Sequence, residues 1–561
     1  MADSLLYEIS KAEVMSGEPF VKRENVYLID QNNGSYTNNQ IILDCASLSN
    51  SGKWCDWADA SVVVPLLITM TSATNFSATA CDFAVGLKNG FYQVINSINI
   101  EYNNTSVVQV SNFTNMYISY KLNTSLSVND IVTIGNQIGF REDSYQSWIY
   151  NAVAGSSGNG SCNNLDNFAG LDPAQAYDGT QSNNGMLLRQ LDITFTNGQN
   201  GVDTLLGASW QSVSSQFAKS YTTGVVLSNG VYGKAWNILA TIRLKDISDF
   251  FAQMPLTRNA YIKMYINLNQ SVTTVNFDAP VAGLGAMHVA SSDVIVYGGI
   301  TNPLMVASAY TGCGMQPIGA LAGVKTFKVS VSVLQTLDST CPTAIAKNPM
   351  LTSCRLYANL YTMNPMKEEE YLAQRTKTIR YKDIFQYQFL NVQSAFNFLV
   401  SNGISRLQEI VICPMVASTY NGDPTGATSF SPIRSPFASE PATCSPLMWV
   451  NNFNIQISGI NCFINNEQYG YEQFQNELYG VNSINGGLTN GLTSGLISQN
   501  AFYNNYGYLV ADVARRLPED NSPKSVQISG TCLSQAKIDL YVFCVFEKSI
   551  TIDTFSGKRL E

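Results

Sequence analysis

AYIKMYINLN (Ala260 to Asn269) sets Ile262, Met264, Ile266 and Leu268 against Tyr261, Lys263, Tyr265 and Asn267. An apolar residue at every second position is the period of a strand with one buried and one wetter face. KIDLYVFCVFEKSITI (Lys537 to Ile552) keeps the rhythm, with Ile538, Leu540, Val542, Cys544 and Phe546 on one face. NVYLID (Asn25 to Asp30), turn-like QNNGS and QIILD (Gln40 to Asp44) read as two more strands joined by a short loop. No strand–helix–strand alternation runs between such segments, which disfavours a parallel-sheet enzyme fold and leaves antiparallel sheets. Helices look few and short. DISDFFAQMP offers Asp246 as N-cap, one apolar face of Ile247, Phe250, Phe251 and Met254, and a stop at Pro255. MKEEEYLAQR (Met366 to Arg375) and YEQFQNELYG (Tyr471 to Gly480) are further helical candidates.

With 561 residues the chain exceeds one ordinary core, so two or more domains are expected. Only 13% of residues are charged and 45% are hydrophobic, which describes a globular chain with a polar but uncharged surface. Such a surface suits β-rich proteins and crowded assemblies, where few charges need desolvation at contacts.

A repeat is visible. INSINIEYNN (Ile95 to Asn104) and ISGINCFINN (Ile457 to Asn466) agree at five of ten positions. NFTNMY (Asn112 to Tyr117) follows the first and QFQNELY (Gln473 to Tyr479) the second. Later, IKMYI (Ile262 to Ile266) echoes IDLYV (Ile538 to Val542). Echoes in the same order suggest a duplicated β module, with Ile98 and Ile460 on equivalent strands. About 120 residues separate NFTNMY from the strand before DISDFF, against fewer than 30 between QFQNELY and YLVADVARR. The first module is therefore expected to carry an insertion at about 118–235, rich in turn residues such as VAGSSGNGSCNN and YDGTQSNNG. The expected organisation is an N-terminal segment 1–20, a first jelly roll 21–300, a linker 301–324, and a second jelly roll 325–561. The second has a long loop at about 415–445, including NGDPTGATSFSPIRSPFASEP. The fold class is all-β: two tandem eight-stranded jelly rolls with long loop insertions and a few short helices.

The net charge of −9 and an N-terminus holding one Lys and four acids in twenty residues argue against strong direct nucleic-acid binding. That N-terminus lacks the basic and apolar regions of a signal peptide. The longest apolar run, ASVVVPLLITM (Ala60 to Met70), is about half of what spans a bilayer and contains Pro65, so no transmembrane segment is expected. Twelve cysteines form no CxxC pair, and several lie in strand-like runs, consistent with buried free thiols in a reducing compartment. Sequons such as Asn75-Phe-Ser77 and Asn123-Thr-Ser125 read as by-products of Asn and Ser/Thr richness.

Catalytic constellations do not emerge. His288 is the single histidine, its neighbours offer no motif, and no GxSxG elbow accompanies it. The Gly487–Leu496 stretch lacks the Gly-Lys-Ser/Thr ending of a phosphate loop. Glu142 with Asp143, and Glu368 to Glu370, are adjacent carboxylates, whereas glycosidase chemistry needs a pair opposed across a cleft. No catalytic, cofactor-binding or metal-binding residue is assigned, and neither enzyme activity nor a cofactor is expected.

MPLTRNAYIKMYINLNQ (254–270), SPFASEPATCSPLMWVNNFNIQISGIN (435–461), INGGLTNGLTSGLIS (484–498) and the entry stretch 26–70 resemble segments of double-jelly-roll major capsid proteins of the polinton-like virus and virophage lineage. The resemblance runs from about residue 20 onward. It implies homotrimers forming pseudo-hexagonal capsomers of an icosahedral shell around double-stranded DNA. It further implies penton and minor capsid proteins as partners, a virion location after assembly inside the host cell without secretion, and outward loops at 118–235 and 415–445. The acidic N-terminus departs from capsid proteins that use a basic arm. A β-sandwich carbohydrate-binding protein or adhesin is the alternative of another class, and a β-sandwich glycoside hydrolase a further one.

Overall fold

The computed structural model describes residues 18–72, 83–108, 111–141, 218–226, 232–276, 294–308, 310–311, 314–315, 326–334, 351–417, 433–434, 450–466, 468–484, 495–504, 506–514, 522–533 and 537–560. The second half has the simpler plan. Its strands are β10 (Thr376–Val392), β11 (Ala395–Ile404), β12 (Leu407–Val416), β13 (Val450–Ile457), β14 (Ile460–Asn461), β15 (Leu509–Asp512), β16 (Lys524–Cys532) and β17 (Ile538–Asp553). They form two four-stranded sheets, β10-β17-β12-β15 and β11-β16-β13-β14, antiparallel throughout. Counted from one to eight, the orders are 1-8-3-6 and 2-7-4-5, the pairing of a jelly roll.

The first half repeats that order with β1 (Phe20–Ile29), β2 (Gln40–Asp44), β3 (Trp54–Ser72), β4 (Ile95–Tyr102), β5 (Thr105–Val108), β6 (Tyr232–Arg243), β7 (Ile262–Leu268), β8 (Thr326–Val333) and β9 (Arg355–Met363). The small sheet is β2-β7-β4-β5. In the large one β9 lies between β1 and β3, and β6 flanks β3 on the other side. Its eighth lane is divided: β8 pairs with β3 from Leu66 to Thr71, and β9 from Trp54 to Val63. Pro65 sits at the break. Proline cannot donate to a ladder and is poorly tolerated in a central strand; here it stands opposite the gap between the pairings of β8 and β9.

Each module encloses a core between its sheets. Ile41, Leu43, Val62, Val64, Ile98, Ile262 and Met264 meet in the first, and Val400, Ile410, Ile412, Ile455, Ile528 and Val542 in the second. Burial of each such side chain contributes about 1.5–3 kcal/mol. The outward faces of the small sheets carry amides and hydroxyls. Gln40 bonds Asn267 (3.1 Å), Asn267 bonds Ser97 (2.7 Å), and Gln527 bonds Asn397 (2.7 Å). The uncharged surface inferred from composition thus lies on strands.

Several expectations change. Strands β8 and β9 fall in the stretch assigned to the second jelly roll, yet hydrogen-bond into the first half's large sheet. Residues 301–324 contain Leu304–Ser308, which pairs with Phe83–Leu87. The quoted echoes are out of register: Ile98 lies on β4 but Ile460 on β14, and IKMYI lies on β7, seventh in its module, whereas IDLYV lies on β17, eighth. In an Asn- and Ile-rich chain short matches arise between non-equivalent strands, and strand order carries the duplication instead. NFTNMY and QFQNELY do correspond: they lie in and around α1 (Thr114–Ser125) and within α5 (Tyr471–Ile484), the helices after β5 and β14. Between these helices come α2 (Val128–Ile138), α3 (Asp249–Gln253) and α4 (Pro365–Leu372), and α6 (Gln499–Asn504) comes last. The cap of α3 is Ser248, whose side chain accepts from Phe250 N–H; Asp246 instead takes both arms of Arg243 at 2.6 and 2.9 Å. The turn-rich parts of the 118–235 insertion and most of the 415–445 loop lie outside the described residues.

Candidate functional site: the seam between the jelly rolls

Helix α1 is buried on almost every side because both modules use it. Toward the first module it sends Ile118 and Leu122 into the core and a polar set beside them. Asn115 Nδ2 donates to Gln93 Oε1 (3.0 Å) and Thr301 Oγ1 (3.2 Å), and Gln93 Nε2 donates to Ser119 Oγ (3.0 Å). Toward the second it is aromatic. Phe113 packs edge-on against Tyr541 with centroids 5.0 Å apart, Tyr117 meets Phe543, and Tyr120 meets Tyr508 at 5.3 Å. These rings, with Phe474 and Leu478 of α5, cover the outer face of β12 and β17. Strand β17 therefore buries both faces: Leu540, Val542 and Cys544 inward, Tyr541, Phe543 and Val545 under the helices.

Beside α1 the seam turns charged and lines a half-open pocket of about 420 Å³, with Tyr120, Lys121, Asp249, Arg380, Lys382 and Glu409 in its walls. Its groups hold one another. Tyr120 Oη donates to the buried Glu409 Oε1 at 2.6 Å, and Lys382 Nζ approaches the other oxygen at 3.9 Å. Lys548 pairs with buried Asp383 at 2.5 Å, Tyr381 Oη donates to Val107 O at 2.6 Å, and the Lys382 N–H donates to Asp249 at 2.9 Å. Lys121 donates to Lys245 O (3.0 Å), and burial pushes its ammonium pKa down despite Asp249 and Asp246. Three of these bonds, Tyr120–Glu409, Tyr381–Val107 and Lys382–Asp249, cross between the modules and join them.

A second attachment follows β17. Arg258 N–H donates to Thr554 O (2.8 Å), Asn259 Nδ2 to Phe555 O (3.0 Å) and Asn103 Nδ2 to Gly557 O (2.7 Å), so Thr554–Gly557 lies on the first module.

Of the residues weighed for chemistry, Glu368 accepts from Trp54 Nε1 (3.1 Å) and Arg258 (3.0 Å), tying α4 to the first module. Glu370 pairs with Lys367 at 2.9 Å and Glu369 is exposed. His288, Glu142 and Asp143 lie outside the described residues, as does all but the end of the Gly487–Leu496 stretch. There Leu496 N–H donates to Asn123 O at 2.8 Å. Asn123 itself is fully buried, so its sequon is structural. Among the described residues no three His, Cys, Asp or Glu side chains are placed to hold a metal ion. The seven described cysteines form no disulfide, and six of them are buried. Among the same residues no helix is long and apolar enough to cross a membrane. The residues that join the modules, above all Tyr120 and Glu409, carry no sequence motif.

No family model and no curated protein sequence matches the chain. Solved structures do. A chain of the cryo-EM structure of the Sputnik virophage superposes with a TM-score of 0.50 at 12% identity, over 98% of this chain and 89% of that one. The mavirus major capsid protein gives 0.41 at 12% identity, covering 98% and 92%. The Faustovirus major capsid protein gives 0.42 at 11%, covering 97% and 94%. Over nearly its whole length, the chain has the double-jelly-roll fold found in viral major capsid proteins, those of virophages among them.

Proposed function

We propose that the chain is a major capsid protein, a structural component of a virion and not an enzyme. The observation that carries this reading is the pair of jelly rolls with identical strand order, fixed side by side by a shared helix and a buried polar seam. The fold likeness to virophage and other viral capsid proteins supports it. One chain then supplies two of six similar positions, and a homotrimer closes a pseudo-hexagonal capsomer. Capsomers tile an icosahedral shell around double-stranded DNA, with penton and minor capsid proteins as partners and no strong direct grip on the genome. Synthesis and assembly take place inside the host cell. Weak contacts repeated over a shell give stability by multiplicity and let misplaced units leave. We divide the modules at α4, with residues 20–363 as the first jelly roll and 376–560 as the second. The test is native mass measurement and electron microscopy of the purified chain. Trimers that form hexagonal arrays or shells are expected. A persistent monomer that binds glycan, or hydrolysis abolished by one carboxylate substitution, rejects the reading.

A further inference from the structure

The in-chain contact between the jelly rolls is head-to-tail. The second module gives its β10–β17 end: Tyr381, Lys382, Lys548 and the segment Thr554–Gly557. The first receives it on the β4–β5 hairpin and neighbouring residues: Val107 and Asn103, with Asp249, Arg258 and Asn259. Two like modules joined this way leave one giving end and one receiving end unused. A heterologous contact of that kind repeats until it closes a ring.

Both unused ends are described, and both expose apolar side chains. The receiving end of the second module is the β13–β14 hairpin, which holds the same place in its sheet as β4–β5 does in the first. In the first module the hairpin turn is covered, since Asn103 is bonded to Gly557. In the second, Ile460 is 52% and Ile464 96% exposed. The stretch Ile457–Asn466 contains no charge to desolvate. The giving end of the first module is where β1 begins beside the end of β9. Phe20 pairs with Met363 there as Thr376 pairs with Asp553 in the second module. Asn364 N–H donates to Pro19 O (3.0 Å), which brings the start of α4 to the same end. Val21 is 68% and Met366 79% exposed at this place.

We infer that the Ile460/Ile464 hairpin of one copy docks on the Val21/Met366 end of a second copy, so that the contact between chains repeats the seam within the chain. The inference rests on the self-assembly reading above and names the surfaces that perform it. The four apolar side chains form the dry centre of that contact.

The test compares the full chain with I460D/I464D, V21K/M366K and the combination of all four substitutions. Each is checked for folding by near-ultraviolet circular dichroism, then assayed for trimer by native mass spectrometry across a dilution series. Each pair alone is expected to raise the concentration at half-assembly about 100-fold, since it places charge in a desolvated centre. The combination, with opposite charges facing, recovers at least about tenfold of that loss. Folded I460D/I464D that assembles at the wild-type concentration overturns the inference while leaving the capsid reading intact. A combination no better than I460D/I464D alone also overturns it. A wild-type chain that never self-associates overturns the capsid reading and this inference with it.

Discussion

At the scale of single residues one buried arrangement ties two neighbouring points of the chain to a third 318 residues away. Tyr36 Oη donates to Asp30 and accepts from the Cys354 N–H at 2.8 Å, tying the β1–β2 connection to the start of β9. All three residues are buried. Tyr36→Phe removes one donor and one acceptor at once and strands a backbone N–H, which costs about 1–3 kcal/mol in denaturant unfolding. Burial pushes the Asp30 carboxyl above its ordinary 3.8, against the opposing hydrogen bonds of Tyr36 and the Cys354 backbone. A carboxyl with a raised folded-state pKa favours the fold while protonated. Its contribution is complete below the unfolded value and is lost as pH climbs through the folded one. Asp30→Asn stays uncharged at every pH, so its stability relative to wild type should rise upward from about pH 4 and then level off. A difference that is flat across that range counts against the buried-carboxylate account.

Among the elements, α1 matters most, because each module would bury a different face of it alone. The Tyr120–Glu409 bond lies at its centre. Tyr120→Phe keeps the edge-to-face ring contact with Tyr508 but leaves a buried carboxylate oxygen with no hydroxyl, and should lower stability by about 1–3 kcal/mol. Glu409→Gln retains an acceptor and should cost less, and the reverse ranking in urea melts would contradict the assigned donor. Nothing in the sequence marks this pair. β7 was legible because its one-sided burial writes period two into IKMYINL, and all seven positions alternate as expected. β17 was half legible: its inward face alternates, but Tyr541, Phe543 and Val545 are equally apolar because helices from both modules cover them. That cover is a long-range fact, and local periodicity does not encode it. The division of the eighth lane into β8 and β9 was hidden for a related reason. A lane supplied by two separate segments resembles two strands of different domains, and only Pro65 on the facing strand hints at the break.

For the whole molecule, the question is whether two jelly rolls unfold as one body. The seam around α1 and the docking of Thr554–Gly557 both bridge them, and a well-packed bridge couples their unfolding into one transition. Gly557 is the most sensitive point of that docking. Its φ is +66°, and a Cβ there would lie 2.4 Å from the Asn259 carbonyl carbon and oxygen. Gly557→Val therefore combines left-handed strain with a backbone clash, and the segment must lift from the first module. The bonds to Arg258, Asn259 and Asn103 go with it, while neither module's core is touched. Scanning calorimetry should then resolve two transitions where the wild type gives one, with the summed enthalpy nearly conserved. A single transition merely shifted to lower temperature would mean that the α1 seam alone couples the modules and that Thr554–Gly557 is a passenger.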